Sequence, residues 1–348
     1  MSKFCYISIV SDWGNNAGSK AKNDVEKIFA DVGMHKLNTE PLVSSVDNSG
    51  ICYKLKSYIA VMKLRSKLKR LSGKIVFIQY PVLKYSYLKK ALAKLALNNK
   101  IVYVIHDVDV LRKDYDEINI NEEITKIDLA TVIVSHNSRM SEFLIEHGIS
   151  KEKLYNLDVF DYLAEVNDKK RLKTDGVAFA GNLVKSPFLK KYAGLKSAAR
   201  LNLYGAAWDG ESSGNIEYKG GYAPEKLVSE INGGFGLVWD GEEYDTCSGS
   251  TGKYLSYNNP HKMSLYIISG MPIITWSKAA IADFVQKNDI GITVDSLVDI
   301  KEKIDTLSDE KYDVMRKNVF EIAKRLSKGQ QLKTIIEKII SEYTADEI

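Results

Sequence analysis

Cysteine is scarce in this chain: Cys5, Cys52 and Cys247 are the only three in 348 residues, odd in number and far apart. Such spacing offers neither a disulfide framework nor a zinc cluster, and it points to a reducing compartment. No stretch reaches the roughly 20 apolar residues that a membrane span needs. Met-Ser-Lys leads straight into the strand-like CYISIV, without the apolar run and cleavage site of a secretory leader. The chain therefore reads as cytoplasmic. It shows no internal repeat of short period and no low-complexity tract.

Negative charge is missing locally. Net charge is only +4, yet between Asp47 and Asp107 there is no acidic residue and there are thirteen Lys and Arg. Within that interval KLKSYIAVMKLRSKLKRL alternates basic and apolar residues at helical spacing, so a basic amphipathic helix is expected over 54–74. One reading is a solvated basic face whose apolar side packs on the core. The other is contact with an anionic membrane, as a peripheral protein on its inner face, or with a phosphate-linked acceptor. Nucleic acid is not expected as a partner. Single-strand binding interleaves aromatics with the charge, and Tyr80, Tyr85 and Tyr87 offer little of that.

A hydrophobic content of 45% with 27% charge is that of a soluble globular protein, and the length suits two domains. KIVFIQYP, KIVYVIHD and ATVIVSHN read as buried strands separated by helices. Continuous β-branched runs of that kind indicate parallel sheet covered on both faces. The pattern restarts with VAFAG, LNLYG, IEYKGGY, GFGLVW and IIT. The expected class is α/β, with two Rossmann-like domains and a ligand cleft between the carboxyl ends of their sheets. Residues 1–168 form the first and 169–325 the second, nucleotide-binding one, with the boundary in the charge-dense stretch Asp168–Asp175. A terminal helix over 326–348 is long enough to cross back.

The richest segment runs from Gly233 to Thr275. A strand, GFGLVW, delivers Asp240 and Glu242 into a polar loop, and Pro260-His261-Lys262 then opens a helix. Backbone N–H groups at a helix start carry partial positive charge and hold phosphate readily. Lys262 adds a full charge there, flanked by Tyr257 and His261, while Asp240 and Glu242 suit sugar hydroxyls. This is the pattern of a nucleotide-diphosphate-sugar site, in which Lys262 would stabilise the leaving diphosphate without metal. The bland alternative is a lysine that only caps or pairs. Gly181 and Asn182, with Lys185 beyond them, end another strand and suit the same diphosphate. Asn16, Ala17, Gly18, Ser19 and Lys20 follow the first strand, where small residues let a backbone approach a phosphate or sugar. An ordinary polar-capped turn explains them as well. His106 and Asp107 end IVYVI, where the His could donate to a sugar hydroxyl and Asp107 could serve as a base. Asp107 with Asp109 also raises a rival, a metal-dependent transferase holding Mg²⁺ or Mn²⁺. Otherwise no cofactor and no metal site are expected.

GNLVKSPF, GGYAPEKL, GGFGLVW and SYNNPHKMSLYIISGMPII resemble segments of bacterial two-domain GT-B glycosyltransferases. Most similar in appearance are the glucosyltransferases that extend glycans on streptococcal serine-rich adhesins and the related β-1,6-galactofuranosyltransferases of surface polysaccharides. The resemblance covers most of the chain. It implies a GT-B fold and transfer of glucose or galactofuranose from a UDP-sugar to a lipid-linked or protein-attached glycan. Through it, Lys185 and Lys262 match the diphosphate-binding positions, Tyr222 the base or ribose contact, His106 the donor-sugar contact, and Asn16–Ser19 a loop facing sugar or acceptor. Leu265 stands where many retaining members carry a ribose-gripping Glu, and Lys185 where an Arg is familiar. The sequence leaves homo-oligomerisation open. A non-catalytic subunit that keeps the fold, or an epimerase on it, are the competing readings.

Overall fold

The computed structural model describes residues 3–9, 17–38, 51–112, 117–206, 208–210, 212 and 214–345. The chain gathers into two compact units. The first comprises Met1–Val110, Asp114–Leu157 and Leu332–Ile348, and the second Leu111–Lys113 and Asp158–Gln331.

In the first unit, strands β1 (Phe4–Tyr6), β2 (His35–Lys36), β3 (Ile75–Tyr80), β4 (Lys100–Ile105), β5 (Val132–Ser135) and β6 (Leu154–Asn156) form one sheet. It is parallel throughout, in the order β2-β1-β3-β4-β5-β6. Helices α1 (Ala17–Asp31), α2 (Ile51–Leu68), α3 (Tyr85–Asn98), α4 (Glu117–Asp128) and α5 (Ser138–Glu146) join the strands. β3 is buried along its whole length and β4 everywhere but Lys100. A strand covered on both faces has no polar side to alternate with, hence the unbroken Val/Ile runs. α1 buries Ala21, Val25, Ile28 and Phe29 on one stripe. Gly33, just past its end at φ 76°, takes the left-handed turn that a side chain disfavours.

The basic helix differs from expectation in two ways. α2 ends at Leu68, and the chain turns at Gly73 (φ 64°) rather than continuing to residue 74. Its apolar residues also divide between two faces: Ala60, Val61, Leu64 and Leu68 are buried, whereas Leu55, Tyr58 and Ile59 are exposed.

The second unit contains β7 (Val177–Ala180), β8 (Leu201–Tyr204), β9 (Ile216–Tyr218), β10 (Phe235–Val238), β11 (Ile273–Trp276) and β12 (Gly291–Val294). This sheet is also parallel, in the order β12-β11-β10-β7-β8-β9. Its helices are α6 (Phe188–Ala193), α7 (Pro224–Glu230), α8 (Gly249–Tyr254), α9 (His261–Ile268), α10 (Ala282–Lys287), α11 (Asp299–Thr306) and α12 (Asp309–Leu326). Phe179, Phe188, Phe235, Trp239 and Tyr266 are fully buried in the core. α8 folds inside the stretch that reads as an open polar loop.

Passage from the first unit to the second falls at Leu157–Asp158, ahead of the charged stretch that suggests a linker. Val159 and Tyr162 belong to the second unit's core. Arg171, in the middle of that charged stretch, is itself buried. Its Nε donates to Ser269 O (3.0 Å), Nη1 to Gly233 O (3.1 Å) and Nη2 to Ile231 O (3.2 Å). The last helix, α13 (Gln330–Ala345), returns from Leu332 onward to the first unit. There Lys3 Nζ donates to Tyr343 O (3.1 Å), Lys333 pairs with Asp31 (3.2 Å), and Tyr155 donates to Glu342. Among the described residues no helix is long and apolar enough to cross a membrane.

Candidate functional site

Open parallel sheets bind ligands beyond the carboxyl ends of their strands, where the strand order reverses. In the second unit the chain starts at β7, builds outward through β8 and β9, then returns to the other side of β7 with β10. The reversal lies between β7 and β10, so the loops that follow these two strands define the site.

After β10, Trp239 is fully buried and its Nε1 donates to Glu243 O (2.9 Å), folding the loop back on the strand end. Lys262, in the first turn of α9, reaches this point. Its Nζ donates to Trp239 O (3.0 Å) and to Asp240 Oδ1 (2.9 Å), and lies 4.9 Å from the Phe179 ring centre. An ammonium has three N–H donors, so two are engaged and the group is pinned at the strand end. Asp240 is thus tied to Lys262. The Cys247 thiol lies close to this pair, and burial pushes its pKa far above the ordinary thiol range, so it stays protonated.

α9 is set by a close approach. A Cβ at Gly236, in the middle of β10, would overlap the Tyr266 ring of α9, and Tyr266 OH in turn accepts from Ala180 N (2.8 Å) at the end of β7. One tyrosine therefore registers the lysine-bearing helix on both strands flanking the reversal. The loop after β10 is similarly tight: a Cβ at Gly252 would collide with the Cys247 backbone, and Gly241 has φ 114°. His261 packs its ring against Tyr162 (centroids 5.2 Å) and Phe160 (5.9 Å). Tyr257 is half-buried in the turn after α8, and Glu242 is exposed with its carboxylate facing Gly249.

After β7, Gly181 N donates to Tyr204 O (3.0 Å), and a Cβ at Gly205 would strike Gly181 O, so the β7 and β8 exits run backbone to backbone. Asn182 Oδ1 accepts from Lys185 N (3.2 Å), capping a short 3₁₀ turn from which Lys185 projects, exposed. Tyr222 is exposed beyond β9, its ring 6.2 Å from that of Tyr204. The second unit thus brings Gly181, Asn182, Lys185, Asp240 and Lys262 to one strand reversal, with Tyr222 beside the β8 exit.

In the first unit the order reverses between β1 and β3. Asn16 lies outside the described residues. Gly18 is exposed at the start of α1 and Ser19 is buried. Lys20 is buried and ion-paired with the equally buried Asp24 one helical turn on. The exit of β1 is instead held by Glu26, which accepts from Ser8 Oγ (2.6 Å) and from Ile9 N. His106 is half-buried at the end of β4, its Nε2 2.6 Å from Gln79 Oε1. Gln79 Nε2 donates to Lys22 O (3.3 Å), which fixes the amide, so His106 Nε2 is the donor in that contact. Asp107 is half-buried beside it. Asp109 is exposed on a 3₁₀ turn. Among the described residues no three His, Cys, Asp or Glu gather as metal ligands.

Sequence reading passes over His136. Fully buried at the end of β5, it hydrogen-bonds the backbone of Ile105 and His106, and so underpins the strand end that carries His106. Burial holds its pKa down to about 4, against the backbone contacts, which work upward. The folded protein keeps this ring neutral while the unfolded chain protonates it near pH 6.5. Stability is therefore full above pH 6.5 and falls as the pH drops toward 4, by about 3 kcal/mol from this group. Urea midpoints at pH 7 and pH 4.5 should differ clearly less in His136→Asn than in the parent. Equal differences would remove His136 from the account.

Two family models match the chain: Glucosyltransferase 3-like, N-terminal domain, over residues 4–159, and Glucosyltransferase 3-like, C-terminal domain, over residues 177–339. The chain is 31% identical over 335 residues to the beta-1,6-galactofuranosyltransferase WbbI of Escherichia coli (strain K12), covering 94% of this chain and 95% of that protein. It is 23% identical to glucosyltransferase 3 of Streptococcus gordonii, covering 94% and 96%. Among solved structures it is similar to Anabaena Alr3699/HepE in complex with UDP and glucose (TM-score 0.61, 11% identity, 98% of this chain and 100% of that one). It is also similar to the lipopolysaccharide outer core galactosyltransferase WaaB (TM-score 0.54, 15% identity, 97% and 99%). Two parallel α/β units, a pinned lysine at the second unit's strand reversal, and family matches spanning both units together place this chain in the glucosyltransferase 3-like family of GT-B glycosyltransferases.

Proposed function

We propose that the protein transfers a hexosyl group, glucose or galactofuranose, from a UDP-sugar to a hydroxyl of a glycan acceptor, without a metal ion. The observation that carries this reading is the position of Lys262. Its ammonium sits at the strand reversal of the second unit, in the first turn of α9, fixed by Trp239 O and Asp240. When the bond from the anomeric carbon to the β-phosphate oxygen breaks, charge grows on that oxygen and UDP departs. A fixed cation beside helix N–H groups stabilises that charge without having to reorganise. Lys185 adds a second cation for the diphosphate, and Tyr222 suits the ribose or base. His106 suits the donor sugar, and Asp107 the acceptor proton if the configuration inverts. The names of the relatives support the donor class: one moves galactofuranose, another glucose, and a structural neighbour was solved with UDP and glucose. The acceptor is read as a lipid-linked or protein-attached glycan.

Thermal shift with UDP, GDP, ADP, CMP and NAD, each with and without EDTA, tests the donor. UDP at about a hundred times its Kd should stabilise by roughly 2.7 kcal/mol, a shift of a few degrees that EDTA leaves unchanged. Stabilisation lost in EDTA would move the reaction to the metal-dependent reading through Asp107 and Asp109. No response to any nucleotide would make the chain a non-catalytic member of its fold.

A further inference from the structure

The outward faces of α2 and α3 are not accounted for by sugar transfer. These helices pack against each other. Toward the sheet they bury Ala60, Val61, Leu64 and Leu68 from α2, and Leu88, Ala91, Leu92 and Leu95 from α3. Away from it, α2 presents Leu55 (58% exposed), Tyr58 (52%) and Ile59 (41%), and α3 presents Tyr87 (52%) and Leu97 (82%). Leu55, Tyr58 and Ile59 are spaced i, i+3, i+4, and Tyr87, Lys90, Lys94 and Leu97 are spaced i, i+3, i+7, i+10, so each set forms one stripe. The Tyr58 and Tyr87 rings meet edge to face, centroids 6.4 Å apart, joining the two stripes into one patch. Exposed lysines border it, Lys56 on α2 and Lys89, Lys90 and Lys94 on α3. Neither helix contributes an acidic side chain anywhere along its length.

We infer that this face seats the protein on an anionic phospholipid surface, with Leu55, Tyr58, Ile59, Tyr87 and Leu97 entering the headgroup layer and the lysines pairing with lipid phosphates. Three features favour a bilayer over other occupants. Aliphatic residues with tyrosines beside them match the interfacial zone, where an aromatic ring is half dry and its hydroxyl wet. A second copy docking symmetrically would bring the same lysines together, which repels. A nucleic acid would gain nothing from exposed Leu55, Ile59 and Leu97, and Tyr58 and Tyr87 already pack on each other rather than standing ready to stack on bases.

The inference concerns the first unit alone and is tested without donor or acceptor, so its failure is separate from failure of the transferase reading. Flotation of the full chain with vesicles of phosphatidylcholine, with and without phosphatidylglycerol, measures it. Binding is expected to the phosphatidylglycerol vesicles and to weaken steeply with salt, since screening shortens from about 10 Å at 0.1 M to about 3 Å at 1 M. K89Q/K90Q/K94Q should lower the partition coefficient about a hundredfold, at roughly fivefold per charge. Y58S/I59S should lower it about tenfold or more, while both variants keep the parent's circular dichroism. No vesicle binding by the parent would overturn the inference, as would unchanged binding by Y58S/I59S. If Y58S/I59S instead sediments as a smaller species than a parent that ignores vesicles, the patch is a contact between copies of the chain and the inference is wrong.

Discussion

Lys262→Ala is expected to cut turnover with a UDP-sugar donor by a hundred- to a thousandfold, the usual cost of one preorganised charge stabiliser. The effect should fall mainly on kcat, because charge on the departing diphosphate is larger in the transition state than in the bound donor. The variant also loses the contact with the Phe179 ring, at 4.9 Å and worth about 1 kcal/mol, and the hydrogen bonds to Trp239 O and Asp240, so its Tm is measured beside its turnover. Asp240→Asn keeps an oxygen for the ammonium but removes the charge that pins it, and a loss of about tenfold is expected. Steady-state kinetics with saturating acceptor checks both. Lys262→Ala within a few-fold of the parent would end the assignment of this lysine to the leaving group.

Arg171→Met should strongly destabilise the second unit. The guanidinium donates to three backbone carbonyls, of Ile231, Gly233 and Ser269, and no residue of comparable shape replaces that fork. Removing it strands three buried acceptors at about 1–3 kcal/mol each, partly relieved by relaxation, for a net cost of about 4 kcal/mol. In a unit of this size that corresponds to a fall in Tm of about 10 °C. Arg171→Lys should recover little, because a point ammonium cannot serve three diverging acceptors. Calorimetry gives the answer, and a fall of less than about 2 °C for Arg171→Met would contradict it. Arg171 ties the entry of β10 to the end of α9, so a partly folded variant should also bind UDP less tightly.

The two sheets and the residues after β7 and β10 are legible in the sequence because parallel strands buried on both faces leave an unmistakable apolar signature. IVFIQY, FGLV and IITW carry it, and ligand loops follow from topology once the strands are known. Arg171 is not legible. It stands among Lys169, Lys170 and Lys173, and only the fold shows which of these charges is turned inward. Gln79 and His136 are hidden for the same reason, as polar residues inside or at the end of apolar runs. The Lys20–Asp24 ion pair is legible, since Asp24 follows at i+4, the spacing of a helical ion pair. In α2 the apolar residues outnumber what one face can hold, so periodicity alone does not say that Leu55, Tyr58 and Ile59 turn outward. Tyr266 is a common aromatic in an apolar helix until Gly236 is seen beneath its ring.

The split composition of the first unit has a consequence for synthesis. Its sheet is laid down first, yet its last helix lies at the far end of the chain, where Lys3 meets Tyr343 and Asp31 meets Lys333. The second unit, nearly continuous from Asp158 to Gln331, has all of its core on the nascent chain sooner. On the ribosome the order of completion is then the reverse of the order of translation: the unit begun first is finished last. Contacts spanning some three hundred residues also close slowly. A chain released just before Leu332 would carry a finished second unit and an unfinished first one, open along the surface that α13 should cover.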